Sequence, residues 1–397
     1  MSKKNNTVNN EIKNENVKEK KKATPWKIAT ATLATALIAV SCTWAFTANS
    51  HPSASPSTAA SVTETVSTSE NQNKETDALS LWTETAPLKS ELTAYVKAVT
   101  DKNSAEFIPV ENRIAVFDMD GTLCCETDPG YFDHKLLYHR VTEDPDYKDK
   151  ASDEEKATAK EIKGYFDSGS YPEDLSIKHG KAVASAFKGM TISEFYSYII
   201  DYKNTAMESY TGMTNGEAFY KPMLQVVKYL QDNEFTVYVV SGTDRIITRA
   251  LCDGVIDVPY SQMIGSDESL VASDQGDKDG LDYTFSKNDK LITGGDFIIK
   301  NLKMNKVSVI EQEIGEQPVL CFGNSSGDAA MANYTINNNK YKAAAFMLCC
   351  DDTERENGNI EKADKMRTSC EENGYTAVSM KNDWTTIYGD GVTYNKK

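Results

Sequence analysis

The stretch Ile114–Glu126 reads IAVFDMDGTLCCE. Four apolar residues, Ile114 to Phe117, run directly into Asp118, Asp120, Gly121 and Thr122. A short continuous apolar run bounded by turn residues suits a strand covered on both faces, as in a parallel sheet. Two carboxylates at the end of such a strand are either turn residues or reacting groups. The rest of the chain decides between them.

Three more runs of the same kind follow, at 236–240, 319–322 and 343–348. Helical patterns lie between them. Met223, Val226, Val227 and Leu230 share one face just before the second run, DRIITRALCDG follows it, and Val307, Ile310 and Ile314 precede the third. Strand alternating with helix predicts an α/β fold, a doubly wound and mostly parallel sheet. Roughly 110 residues separate the first two runs, far more than one crossover helix needs. Within them SDEEKATAKEIKGYF reads as helix, and so does MTISEFYSYIIDYK, with a stripe of Ile192, Phe195, Tyr196, Ile199 and Ile200. The spacing predicts a helical cap inserted after the first strand, over 124–235, on a core formed by 77–123 and 236–397. Ligands in open α/β sheets bind beyond the carboxyl ends of the strands, where such a cap would sit.

The chain has 397 residues and a formal net charge of −16, which argues against a nucleic-acid partner. Residues 1–27 run against that trend, with eight lysines and three glutamates. They read as a basic cytoplasmic tail. Residues 28–48 carry no charge and are long enough to span a bilayer as a transmembrane anchor. A cleaved signal segment and a lipoprotein ending at Cys42 are the alternatives, and all three place the bulk of the protein outside the cytoplasm. Residues 49–76 are rich in Ser, Thr and Pro and read as a linker.

Of the eight cysteines, seven lie beyond the linker, an odd number, so at least one is free or pairs elsewhere. No Cys-x-x-Cys occurs and there are only four histidines, which argues against a zinc site. SDQGDKDGLDY, Ser273 to Tyr283, predicts a hairpin turn rather than a calcium loop.

In a parallel sheet the strand ends converge on one edge. That edge would gather Asp118, Asp120 and Thr122, then Ser241 and Gly242, then Asn324 and Asp328, with Lys306 opening the helix before the third run. Phosphoryl transfer needs such a set. A carboxylate can attack phosphorus, a second can handle the leaving group's proton, and cations must offset the anionic oxygens. Mg²⁺ with oxygen ligands and a lysine supplies that balance.

DMDGT, VVSGT, Lys306 and GNSSGD, in that order, resemble the four motifs of the haloacid dehalogenase (HAD) superfamily phosphatases. ETDPGYFDHKLLYHRV, IGEQPVLCFGNSSGD, DDTERE and MKNDW are similar to the exported, phosphoserine-phosphatase-like subgroup that includes phosphorylcholine phosphatases. The resemblance implies a HAD-like Rossmannoid core and a Mg²⁺-dependent phosphomonoester hydrolase acting on a small phosphorylated metabolite. It implies Asp118 as nucleophile and Asp120 as general acid and base. Thr122, Ser241, Gly242 and Lys306 would bind the phosphoryl group, and Asp118, Asp120, Asn324 and Asp328 would form the metal site. Asn324 stands where many relatives have Asp. Glu126 and Asp128, at the start of the cap, are candidates for substrate selection. Two further readings are a cell-surface binding protein on a weakened scaffold and a phosphotransferase or phosphomutase.

Overall fold

The structure is a computed structural model and describes residues 78–396. The basic tail, the uncharged run and the linker lie outside the described residues. Among the described residues no helix is long and apolar enough to cross a membrane.

β1 (Ile114–Phe117) is the pivot, and all four of its residues are buried. Ile114 and Val116 belong to one apolar cluster, Ala115 and Phe117 to another, so the strand is covered on both faces. That double burial is why its sequence is apolar without alternation. Helix α1 (Pro87–Thr100) precedes it. β1 pairs in parallel with β3 (Thr236–Asp244) on one side and with β6 (Leu320–Gly323) on the other. Phe117 is level with Val239 and with Phe322, so the residues after all three strands arrive together. Phe117 stacks on Phe322 at 4.2 Å, and Phe322 on Phe346 of β7 (Ala344–Cys349) at 5.2 Å.

The sheet has seven strands in the order β5-β4-β3-β1-β6-β7-β8. β4 (Met263–Ala272) and β8 (Thr376–Ser379) join in parallel, while β5 (Leu291–Ile299) runs antiparallel at the edge. The fold is thus α/β with a mostly parallel sheet, as the alternating pattern predicts. β4, β5 and β8 were not legible as apolar runs. Leu291 and Ile298 of β5 are exposed, and β4 carries Ser266, Asp267, Glu268 and Ser269 in its middle. The stretch between β4 and β5 is the expected hairpin connection, and it spans 273–290.

Between β1 and β3 stand α2 (Phe132–Thr142), α3 (Asp153–Ser168), α4 (Leu175–Ala186) and α5 (Ile192–Lys203). Two starts are fixed by capping boxes, Ser152 with Glu155 and Thr191 with Glu194. The stripe on α5 is buried at Phe195 and Ile199, with Ile192, Tyr196 and Ile200 packed beside them. A two-residue strand β2 (Tyr210–Thr211) leads to α6 (Lys221–Asp232), which buries Met223, Val226, Val227 and Leu230 and packs on β3.

Two ties hold these helices to the sheet. At the edge, Thr293 of β5 donates its backbone N–H to Met190 O and accepts from Gly189 N, both at 2.9 Å, and its hydroxyl donates to Phe187 O. At the base, the fully buried Glu356 accepts from Thr127 Oγ1 at 2.9 Å, from Tyr210 OH and from Tyr388 OH. That one carboxylate joins the start of the helical insertion, its return strand and the C-terminal segment.

Candidate active site

Asp118 leaves β1 with its backbone N–H donating to Phe322 O at 2.9 Å. The chain then folds into a tight turn, Leu123 N–H donating to Met119 O and Gly121 N–H to Cys124 O, both at 2.7 Å. Gly121 has φ +76°, and a Cβ there would lie 1.9 Å from Asn324 Nδ2 and 2.7 Å from Glu126 Cδ. Only glycine fits. The turn thereby brings Asp118, Glu126 and Asn324 to one place.

α7 (Arg245–Cys252) follows β3 and is capped by Asp244, which accepts from Ile246 N and Ile247 N. α8 (Met304–Glu313) places Lys306, and α9 (Ala329–Ile336) follows Asp328. Lys306 is fully buried and donates to Asp118 Oδ1 at 2.6 Å and Asp328 Oδ1 at 2.7 Å. Asp328 Oδ2 accepts from Asn324 N, Ser325 N and Ser325 Oγ at 3.0–3.1 Å. Asp328 therefore holds the 323–328 loop and the lysine together. Thr122 Oγ1 bridges Asp118 Oδ2 at 3.5 Å and Asn324 Oδ1 at 3.4 Å. Asp120 Oδ2 accepts from Thr243 Oγ1 at 2.8 Å.

A cavity of about 440 Å³ opens above these groups. Asp118, Asp120, Gly242, Asn324 and Asp328 line its floor, and Glu126, Tyr131, Asp133, His134 and Tyr171 its helical side. Ser241 is fully buried just behind this wall, its hydroxyl accepting from Thr243 N at 3.0 Å and its carbonyl from Asn301 Nδ2. Thr122 is likewise buried behind the floor. Asp128 is not on the cavity wall. Its carboxylate accepts from Glu208 N at 3.1 Å and Ser209 N at 2.7 Å, which fixes the base of the helical insertion.

The electrostatics separate the two aspartates. Burial, and then the Asp328 charge, push Asp118 up to about 7 against the pull of Lys306. Burial, then Asp133 and Asp118, push Asp120 well above the carboxylate range. Burial would lower Lys306, but Asp118 and Asp328 overcome it and raise it, so the ammonium stays charged. Glu126 is pushed up to about 7, chiefly by burial. A carboxyl that keeps its proton beside one that is ion-paired is the division an acid and a nucleophile require.

Several wall residues carried no functional reading in the sequence. Thr243 lies within VVSGT and was legible as part of that motif. Asp133, His134, Tyr171 and Lys300 come from three separate segments, and only helix packing brings them to the cavity.

No family model matches the chain, and no curated protein matches it. Solved structures similar to it include a conserved functionally unknown protein from Anaerococcus prevotii DSM 20548, at 15% identity, with 73% of this chain and 91% of that chain covered and a TM-score of 0.45. Cytosolic 5'-nucleotidase IIIB bound to cytidine is similar at 12% identity, with 74% and 87% covered and a TM-score of 0.45. A phospho-aspartyl intermediate analogue of phosphoserine phosphatase is similar at 13% identity, with 64% and 90% covered and a TM-score of 0.33.

Proposed function

We propose that the protein is a Mg²⁺-dependent phosphomonoester hydrolase of the HAD type, acting outside the cytoplasm on a small phosphorylated metabolite. The observation that carries this reading is the pair of floor carboxylates Asp118 and Asp328 joined from behind by the buried Lys306, with Asp120, whose protonated form burial favours, beside them.

Asp118 Oδ attacks phosphorus, and the ester P–O bond breaks as Asp120 gives its proton to the leaving oxygen. Water then attacks the aspartyl-phosphate. Asp120, now a carboxylate, takes the water proton, the P–O bond to Asp118 breaks, and phosphate leaves. Lys306 offsets the charge on Asp118 through both steps. Thr243 holds Asp120 at its working position, and the Gly242 backbone lines the phosphoryl end of the cavity. The floor fits Mg²⁺ by its chemistry, because Asp118 Oδ2 and Asn324 Oδ1 share the Thr122 hydroxyl and carboxyls outnumber the one close ammonium. Asp118 and Asn324 would hold the ion, which would supply positive charge to the phosphoryl oxygens, while Asp120 keeps its carboxyl for the proton and Asp328 keeps both oxygens on Lys306 and the 324–325 loop.

Glu126, Tyr131 and Tyr171 give the leaving-group side an acidic and aromatic character that favours a substrate with a cationic head. The export reading rests on residues 1–48, whose basic start and uncharged run support a membrane-tethered protein.

The decisive experiment measures hydrolysis of an aryl phosphate with Mg²⁺ and with chelator, for the wild type and Asp118→Asn. Activity that needs Mg²⁺ and vanishes in the variant is the expected result. Undiminished turnover by folded Asp118→Asn overturns the mechanism. A panel containing phosphocholine, phosphoserine and nucleotides then reads the leaving group.

A further inference from the structure

The helical wall of the cavity holds a group to which the hydrolysis assigns no reacting atom. α2 supplies Asp133 and His134, and α4 supplies His179. All three are buried, at 2%, 3% and 1% exposure. Asp133 Oδ1 lies 2.7 Å from His134 Nδ1, and Asp133 Oδ2 lies 3.7 Å from His179 Nδ1. Both imidazoles thus face the two oxygens of one carboxylate. His134 Nε2 lies 3.2 Å from Tyr171 OH. His179 is different, since neither of its ring nitrogens has a hydrogen-bond partner. Buried polar atoms are nearly always satisfied by protein, water or an ion, so an orphaned imidazole beside a carboxylate calls for a ligand.

We propose that Asp133, His134 and His179 form a second metal site, specific for a transition-metal dication, in the helical wall of the active cavity. Two imidazoles and one carboxylate with open positions are a recurrent donor set for such ions. One donor atom from each residue already lies within 4.8 Å of the others.

The rings stack at 3.9 Å and 4°, so their lone pairs run nearly parallel, and one ion reaches both only if a ring tilts. His179 has no hydrogen bond to lose by tilting. A void of about 10 Å³ lined by His179 and Gly180 lies on its side. Lys300 also lines this void, and its ammonium opposes any cation, while Asp244, Asp267 and Glu268 line it too. That opposition selects the ion. Mg²⁺ gains little from imidazole, whereas Zn²⁺, Co²⁺ and Ni²⁺ bind it strongly enough to tolerate a nearby charge. Asp133 and His134 line the main cavity, so the site borders the space a substrate would occupy. Nothing in the chain order announces this group, because His134 and His179 are far apart and no Cys-x-x-Cys accompanies them.

The test titrates the full chain with Co²⁺ in excess Mg²⁺, following visible absorption and bound cobalt by equilibrium dialysis. One Co²⁺ is expected to bind with the bands of nitrogen ligation. Its affinity is expected to fall by at least about ten-fold in His179→Ala, the loss that even an outer-shell partner causes, and to persist in Asp118→Asn. No cobalt bound, or equal binding by folded His179→Ala, overturns the proposal. Should His179→Ala not fold, X-ray absorption of the wild-type cobalt complex decides. Imidazole scattering supports the site, and an oxygen-only shell overturns it.

Discussion

At the scale of single residues, the proposed hydrolysis rests on setting one carboxyl against another. Asp120 accepts a hydrogen bond from Thr243, and burial, then Asp133 and Asp118, favour its protonated form. Asp120→Asn removes the transferable proton while keeping the hydrogen bond from Thr243. It is expected to lower kcat by about 10²–10⁴-fold. Competition by inorganic phosphate should be unchanged, and weaker phosphate binding would show that Asp120 acts on binding instead. Glu268 makes a second residue-scale case. Both of its oxygens are buried without partners, and burial, then Asp244 and Asp267, push it up to about 9 from an ordinary 4.5. Between those values the native chain keeps a proton that the unfolded chain releases. Stability contributed by Glu268 is thus present below about 4.5 and lost as pH rises toward 9. Glu268→Gln is expected to gain on the wild type as pH rises, read from urea unfolding at the two ends of that range. A constant difference would show that Glu268 is already ionised in the fold. The motif residues were legible in sequence because chemistry fixes their order along the chain. Glu268 and His179 were not, since nothing local marks a charge or imidazole that tertiary packing will bury.

At the scale of elements, legibility followed burial. β1, β3, β6 and β7 are covered on both faces and read as apolar runs. β5 is an edge strand with its side chains half in solvent, paired along its length with β4 and bridged at Ile292–Thr293 by the loop before α5. No period in LITGGDFII announces that. The Thr293 hydroxyl bond to Phe187 O is the side-chain part of this tie. Thr293→Val removes it and is expected to cost about 1 kcal/mol. Hydrogen exchange should then quicken at Gly189, whose amide donates to Thr293 O, and leave β1 unchanged. Equal exchange at Gly189 in both proteins would show that the backbone bonds alone hold the edge.

At the scale of the whole molecule, the active cavity is a meeting of two structures with different sequence grammars. The sheet contributes the groups of the proposed phosphoryl chemistry, in motifs written in chain order. The helices contribute the far wall, in residues scattered over 126–176. Two of those helices, over 152–166 and 190–203, were legible in sequence; α2 and α4 were not, nor were the faces on which the four meet. The sheet's half of the candidate site could be read before folding, and of the helical half only Glu126 was.

The Glu356 knot gives the far end of the chain a task. Tyr388 is a partner of a carboxylate that also grips Thr127 and Tyr210, on the two strands of chain entering and leaving the helices. Clipping the polypeptide ahead of Tyr388 would unclasp that carboxylate where the lid is rooted. A protease nibbling at the tail would then loosen the roof of the cavity without touching a reacting atom.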